Sequence, residues 1–214
     1  MALSFNNQKG SAVKNSVDSL VFTNGDNKMR IVGDILARYV YWVKGENDKS
    51  IPIECLDFNR ETETFDHKEK DWVKEYYPDI KCGWAYATQC VTEDGTIKVV
   101  NLKKKLWESV VLAAADLGDP TDPDDGWDIC FQRKKTGSQA FNVEYNLQVL
   151  KCQKAKRPLT DIEREAIKDL KSMDEVMPRP TPEKQKEFLD RIRDAASGED
   201  NTDKESIEDE FNIR

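Results

Sequence analysis

The sequence predicts a mainly β domain with helices added behind it and an acidic tail at the end. Three observations predict it. Residues 81–107 read as strand, tight turn, strand and helix in one unbroken run. In 141–149, Phe141, Val143, Tyr145, Leu147 and Val149 alternate with polar residues, the pattern of a strand with one face buried. Beyond Pro158 the alternation gives way to charged segments with helix-start signals. At 214 residues the chain can bury a substantial core, so one domain (27–157) with appendages is expected.

Residues 1–26 are small and polar, a flexible arm bearing Lys9 and Lys14 with one apolar patch, Leu20-Val21-Phe22. Residues 27–44 are rich in Ile, Val, Tyr and Trp and form a strand bent at Gly33. Alternation puts Ile35, Ala37, Tyr39, Tyr41 and Val43 on one face and Leu36, Arg38, Val40, Trp42 and Lys44 on the other. The second set, a ring among cations, is either a binding surface or a sheet edge. After a turn at 45–48, residues 50–58 return as a strand. Residues 59–79 are densely charged, with Phe65, Trp72, Tyr76 and Tyr77 as their only substantial apolar groups. They read as an excursion from the sheet, ordered around Trp72 and Tyr76 and lying beside a binding groove.

The strand from 82 carries Cys82, Trp84, Tyr86, Thr88 and Cys90 on one face, and Asp94-Gly95 then suits a tight turn with positive φ at both positions. Residues 96–101 run back with Lys98 and lead into Lys103-Lys104-Lys105. Leu102, Leu106, Val110, Ala113 and Leu117 give a helix stopped by Gly118, with Trp107 in the core. The acidic turn at 118–126 lacks the glutamate a calcium loop requires and reads as solvated. Residues 127–135 and 141–152 form a second hairpin, tipped by Arg133, Lys134 and Lys135. Thr160-Asp161-Ile162-Glu163 is a capping box opening a helix to about 173, and Thr181-Pro182 opens another to about 196. Residues 197–214 carry seven acids and two bases and are expected to be disordered.

Charge is unevenly spread. The chain has net charge −8. Residues 158–214 hold 17 acids against 10 bases, which leaves 24 acids and 23 bases in 1–157. Residues 132–157 hold seven bases and one acid, and a locally basic body with an acidic end suits a nucleic-acid binder with an interaction tail. Five cysteines without a CxxC pair argue against a secreted disulfide framework. No apolar run is long enough for a membrane span and no leader opens the chain, so a cytoplasmic protein is expected. No phosphate-binding loop, GxSxG or paired-histidine motif is present, so no enzyme is expected, and no cofactor. A zinc site would have to draw on His67 with Cys55, Cys82 and Cys90, whose spacing is unsuitable. An acid-pair, metal-dependent nuclease and a protein-binding or inhibitor module remain as alternatives.

Rings beside ammonium groups suit single-stranded nucleic acid, whose bases stack while cations follow the phosphates. On that basis the expected contacts are Trp42, Trp84, Tyr86 and Phe131 with Arg38, Lys98, Lys103, Lys104, Arg133, Lys134 and Lys135. In the tail, Ile207, Phe211 and Ile213 are expected to anchor a protein partner. Residues 81–150, through CGWAYATQCV, IKVVNLKKKLW and the closing strands, resemble the DNA-binding core of the T-even-type phage single-stranded DNA-binding proteins, and MRIVGDILARYVYW sits where that family's first strand would. The resemblance implies an OB-fold, a five-stranded Greek-key barrel, and an acidic tail that contacts replication and recombination proteins. It would place the chain in the cytoplasm of a host cell. That family's zinc subdomain falls where 59–79 lacks the cysteines, so zinc is not carried over. Its basic amino-terminal arm is represented only by Lys9 and Lys14, which leaves no more than weak self-association to expect.

Overall fold

The computed structural model describes residues 18–45, 50–138 and 142–197. One strand organises it. β1 (Gly25–Lys44) is 20 residues long and exchanges neighbours along its length. Its start pairs with β7 (Ile129–Lys135), from Gly25↔Arg133 to Met29↔Ile129. Its middle pairs with β5 (Gly83–Val91), from Arg30↔Val91 to Val40↔Gly83. Its end pairs with β2 (Ser50–Glu54). β6 (Ile97–Leu102) lies outside β5 and β8 (Val143–Leu147) outside β7, all antiparallel, in the order β6-β5-β1-β7-β8. A strand this long must bend to serve both ends of a twisted sheet. It does so at Gly33, whose φ of 70° suits glycine, and the β1–β5 register slips between Val32 and Leu36. A two-stranded ribbon, β3 (Phe58–Asn59) with β4 (Thr64–Phe65), leads into the short helix α1 (Val73–Tyr76). The architecture is antiparallel and mainly β, as expected.

Helices cover the sheet. Leu106, Val110 and Ala113 place one face of α2 (Lys104–Leu117) on a core of Ile31, Cys90, Val100, Trp127, Ile129 and Phe131. Tyr41, Val43, Ile53 and Phe58 are covered by Phe188, Leu189 and Ile192 of α6 (Pro182–Ser197). Met173 and Met177, in and just after α5 (Met173–Val176), pack on Leu36, Ala87 and Val99. Leu159 packs against Val32 and Val91, and Ala166, Ile167 and Leu170 close over them. The helices after residue 158 are thus part of the sheet's core. The segment before β1 is also engaged: Ser19 bridges to Val99, and Leu20 and Phe22 pack on the main core.

Four local readings change. At Asp94-Gly95 only Gly95 has positive φ, because the Gly95 N–H bonds the Thr92 carbonyl while Asp94 accepts from the Thr92 hydroxyl and the Thr96 N–H. β8 ends at Leu147 rather than 152. The Gln148 N–H bonds the Cys130 carbonyl and the chain turns into α3 (Val149–Lys154), burying Cys152 beside Cys130. The helix opened by Thr160 is short, α4 (Asp161–Ala166), though its capping box forms as read. The acidic turn leaves Asp124 and Asp125 in solvent, as read, but the chain is pinned directly after it. Trp127 is fully buried and donates to the Gly118 carbonyl, and Asp128 is buried between Arg30 and Arg157. Arg157 makes a two-point ion pair with Glu163, which holds that carboxyl down at about 2.

Candidate nucleic-acid interface

Where β1 runs beside β5, aromatic rings from five elements meet. Tyr39 stands opposite Trp84 in the register, with ring centroids 4.3 Å apart. Two residues along the same face of β5, Tyr86 lies nearly parallel to Trp84 at 5.4 Å. Trp107 of α2 follows at 6.0 Å from Tyr86, and on the other side Phe65 of β4 meets Tyr39 at 4.7 Å. Phe58, fully buried, props Tyr39 and Trp84 from below. Tyr39, Trp84, Tyr86 and Trp107 are partly exposed, and Phe65 is 43% exposed. The result is a contiguous row of rings that pack on one another and on the core while each keeps part of its surface exposed, a form that can accept planar bases.

One ammonium group stands at this row and its neighbour in the chain at Trp42. β6 ends at Leu102, whose side chain is buried opposite Tyr86, so the next two residues leave the sheet together. The Lys104 Nζ stands 5.7 Å from the Trp84 ring and the Lys103 Nζ 5.8 Å from the Trp42 ring. Lys104 also reaches Glu108 at 3.7 Å, a surface pair of small energetic consequence. Lys103 has no carboxylate partner among the described residues. Its side chain keeps contact with water, yet the protein crowded around the ammonium lowers its pKa below the ordinary lysine value. Both groups can meet an anion.

The remaining expected residues are dispersed. Trp42 is 48% exposed. Lys98 is partly buried, 3.5 Å from Asp18. Arg133 bonds Asn24 at the start of β1, and Lys134 and Lys135 are exposed further out on β7. Two expectations are corrected. Phe131 is fully buried, met edge-on by Phe22 at 4.8 Å and by the tilted ring of Tyr145 at 6.0 Å, and offers no face for stacking. Arg38 is 7% exposed, desolvated enough to lower its pKa, and donates to Asn101. It lies among Glu54, Arg60 and the α5 packing rather than on a binding face. Ile207, Phe211 and Ile213 lie outside the described residues. Sequence reasoning missed Tyr39, Phe65 and Trp107 as members of the row. Tyr39 carried a signal, since its alternation with Arg38 already set it on the opposite face from Trp42.

The excursion divides its rings between two tasks. Phe65 joins the aromatic row, while Trp72 and Tyr76 face α6, where the Tyr76 hydroxyl donates to Asp190 and the Trp72 backbone N–H to Gln185. Below them Cys55, Asp57 and Asp71 bring donor atoms close enough to hold a metal. Those atoms are engaged within the protein. Asp71 accepts from the Tyr41 hydroxyl and from the Leu56 and Val73 N–H groups, and Asp57 meets Lys74 and His67. Burial pushes the Cys55 thiol up to about 12, so a thiolate ligand is disfavoured. The cluster locks the excursion to β1 and α6.

No protein-family model matches the chain. Over a 239-residue alignment the chain is 26% identical to a protein of Escherichia phage T5 named "Probable ssDNA-binding protein", covering 94% of this chain and 90% of that one.

Proposed function

We propose that this protein binds single-stranded DNA with little sequence preference and acts by binding rather than by turnover. The observation that carries the reading is the continuous row Phe65, Tyr39, Trp84, Tyr86 and Trp107, with Lys104 at Trp84 and Lys103 at the nearby Trp42. Rings accept every base, and lysines follow the backbone without reading sequence. The phage T5 protein's name supports the same reading. The long bent β1, shared between neighbours, is compatible with an OB-like barrel serving phage replication or recombination in the host cytoplasm.

The basic hairpin end, Arg133, Lys134 and Lys135, extends the electrostatic attraction rather than the stacking surface. Residues 197–214 compete for the lysines when DNA is absent, and recruit a replication or recombination partner through Ile207, Phe211 and Ile213 when DNA displaces them. Titration of the full chain with labelled oligothymidine, read by anisotropy at two salt concentrations, tests the core of this reading. Tight, salt-sensitive binding weakened by Trp84→Ala and by Lys104→Glu is the expected result. Absence of binding at low salt overturns it. Removing 197–214 should tighten binding at low salt, and Phe211→Ala should abolish partner capture alone.

A further inference from the structure

We propose that the bound strand does not stay on one face of the sheet but crosses its edge at Gly83, stacking on the Trp84 face and again on Trp42, with Lys103 and Lys104 holding the phosphates at the crossing. This rests on the single-stranded DNA reading above.

The strand register places the two indoles on opposite faces. Tyr39 pairs with Trp84 and shares its face, and Trp42 lies three residues further along β1, an odd step that reverses the side chain's direction. Tyr41 and Val43, flanking Trp42, point into the core under α6 together with Trp84's neighbours, while Trp42 stays 48% exposed. The two adjacent lysines divide in the same way, one ammonium over each indole. Consecutive cations that cap rings on opposite faces mark a route around an edge.

The edge itself is free to be passed there. The β5–β6 ladder stops at Tyr86↔Leu102, so β6 gives Gly83, Trp84 and Ala85 no partner. Gly83 is exposed and pairs with Val40 on β1. A side chain at Gly83 would therefore stand on the Trp42 face, one diagonal step from the indole. No atom lies within 4 Å of where its Cβ would be, and its φ is not one that requires glycine. Nothing in the packing explains a glycine in the middle of this aromatic stretch, whereas a passing sugar-phosphate chain would. Lys103, partly desolvated and without a carboxylate partner among the described residues, supplies the charge complementarity on the Trp42 side.

The full chain titrated with labelled oligothymidines of increasing length, by anisotropy, tests the crossing. Trp42→Ala and Gly83→Val should each weaken binding of long oligomers about tenfold. Both should leave unchanged the binding of oligomers too short to leave the Trp84 face, and Trp84→Ala should weaken all lengths. Thermal unfolding monitors the fold. Trp42 is exposed, so its truncation decides the matter even if Gly83→Val unfolds. If the wild type binds and responds to Trp84→Ala while Trp42→Ala matches the wild type at every length, the crossing is wrong and the single-strand reading stands. If the wild type binds no oligothymidine, both fall.

Discussion

Each end of β1 lies among rings and cations, yet the two surfaces differ. At its start, β1 and β7 bring Phe131 beside Arg133, Lys134 and Lys135. At its end, β1 and β5 bring Tyr39, Trp84 and Tyr86 beside Lys104, with Lys103 over Trp42. The distance along the strand from Asp26 to Tyr39 is roughly 40 Å at the usual rise per residue. At the first end the ring is sealed by Phe22 and Tyr145 and lends the neighbouring cations no open face. At the second the rings pack on one another and on Phe58 and Phe65, yet Tyr39, Trp84 and Tyr86 each keep part of their surface exposed. Aromatic residues next to lysines make a stacking site only where the packing runs out of material on one side.

Four measurements would break or sharpen that contrast. The largest effect is expected at the sealed end. Phe131→Ala should cost about 3–5 kcal/mol of stability, read by denaturant unfolding, with the DNA affinity of the folded fraction unchanged. A specific loss of affinity without destabilisation would return Phe131 to the binding surface.

The same end contains the buried Arg30–Asp128–Arg157–Glu163 network. Glu163 falls from an ordinary 4.5 to about 2 in the folded protein. Its folded pKa is depressed, so its contribution is complete above pH 4.5 and is lost as the pH falls toward 2. A shift of that size corresponds to about 3 kcal/mol. Glu163→Gln should lower stability near neutrality and flatten the acid limb of the stability profile. Parallel profiles for the variant and the wild type would refute this.

Third, Trp84→Ala should reduce affinity by about 1–3 kcal/mol for each base that loses its stack, with a smaller loss for Tyr86→Ala if Trp84 carries the principal stack. The smallest effect is expected at the hairpin. Reversing Lys134 and Lys135 together should weaken binding less than reversing Lys103 and Lys104. For every phosphate that no longer meets a cation, the salt slope should fall by about 0.7. Equal slopes for the two double variants would erase the distinction between the two ends.

What was legible in the sequence is what depends on neighbours along the chain. The Gly33 bend, the alternation that puts Trp84 and Tyr86 on one face, the helical face of Leu106 and Val110, and the Thr160–Glu163 capping box all follow from spacings of two to four residues. They appear in the structure within a residue or two. What was not legible is which ring or cation ends up covered. Arg38 reads like Trp42, and only the arrival of Met173 and Met177 and of the Glu54–Arg60 pair buries one and spares the other. Phe131 reads like Trp84, but Phe22, more than a hundred positions earlier in the chain, closes over it together with Tyr145. Asp128 reads as one more acid in a polar turn until Arg30 and Arg157 converge on it. The sequence by itself determined the strands, the helix starts and the supply of rings and lysines, because these are set by local backbone preference and side-chain period. Only the tertiary structure decided which of them form a surface, because exposure depends on distant elements that compete to cover the same face of the sheet.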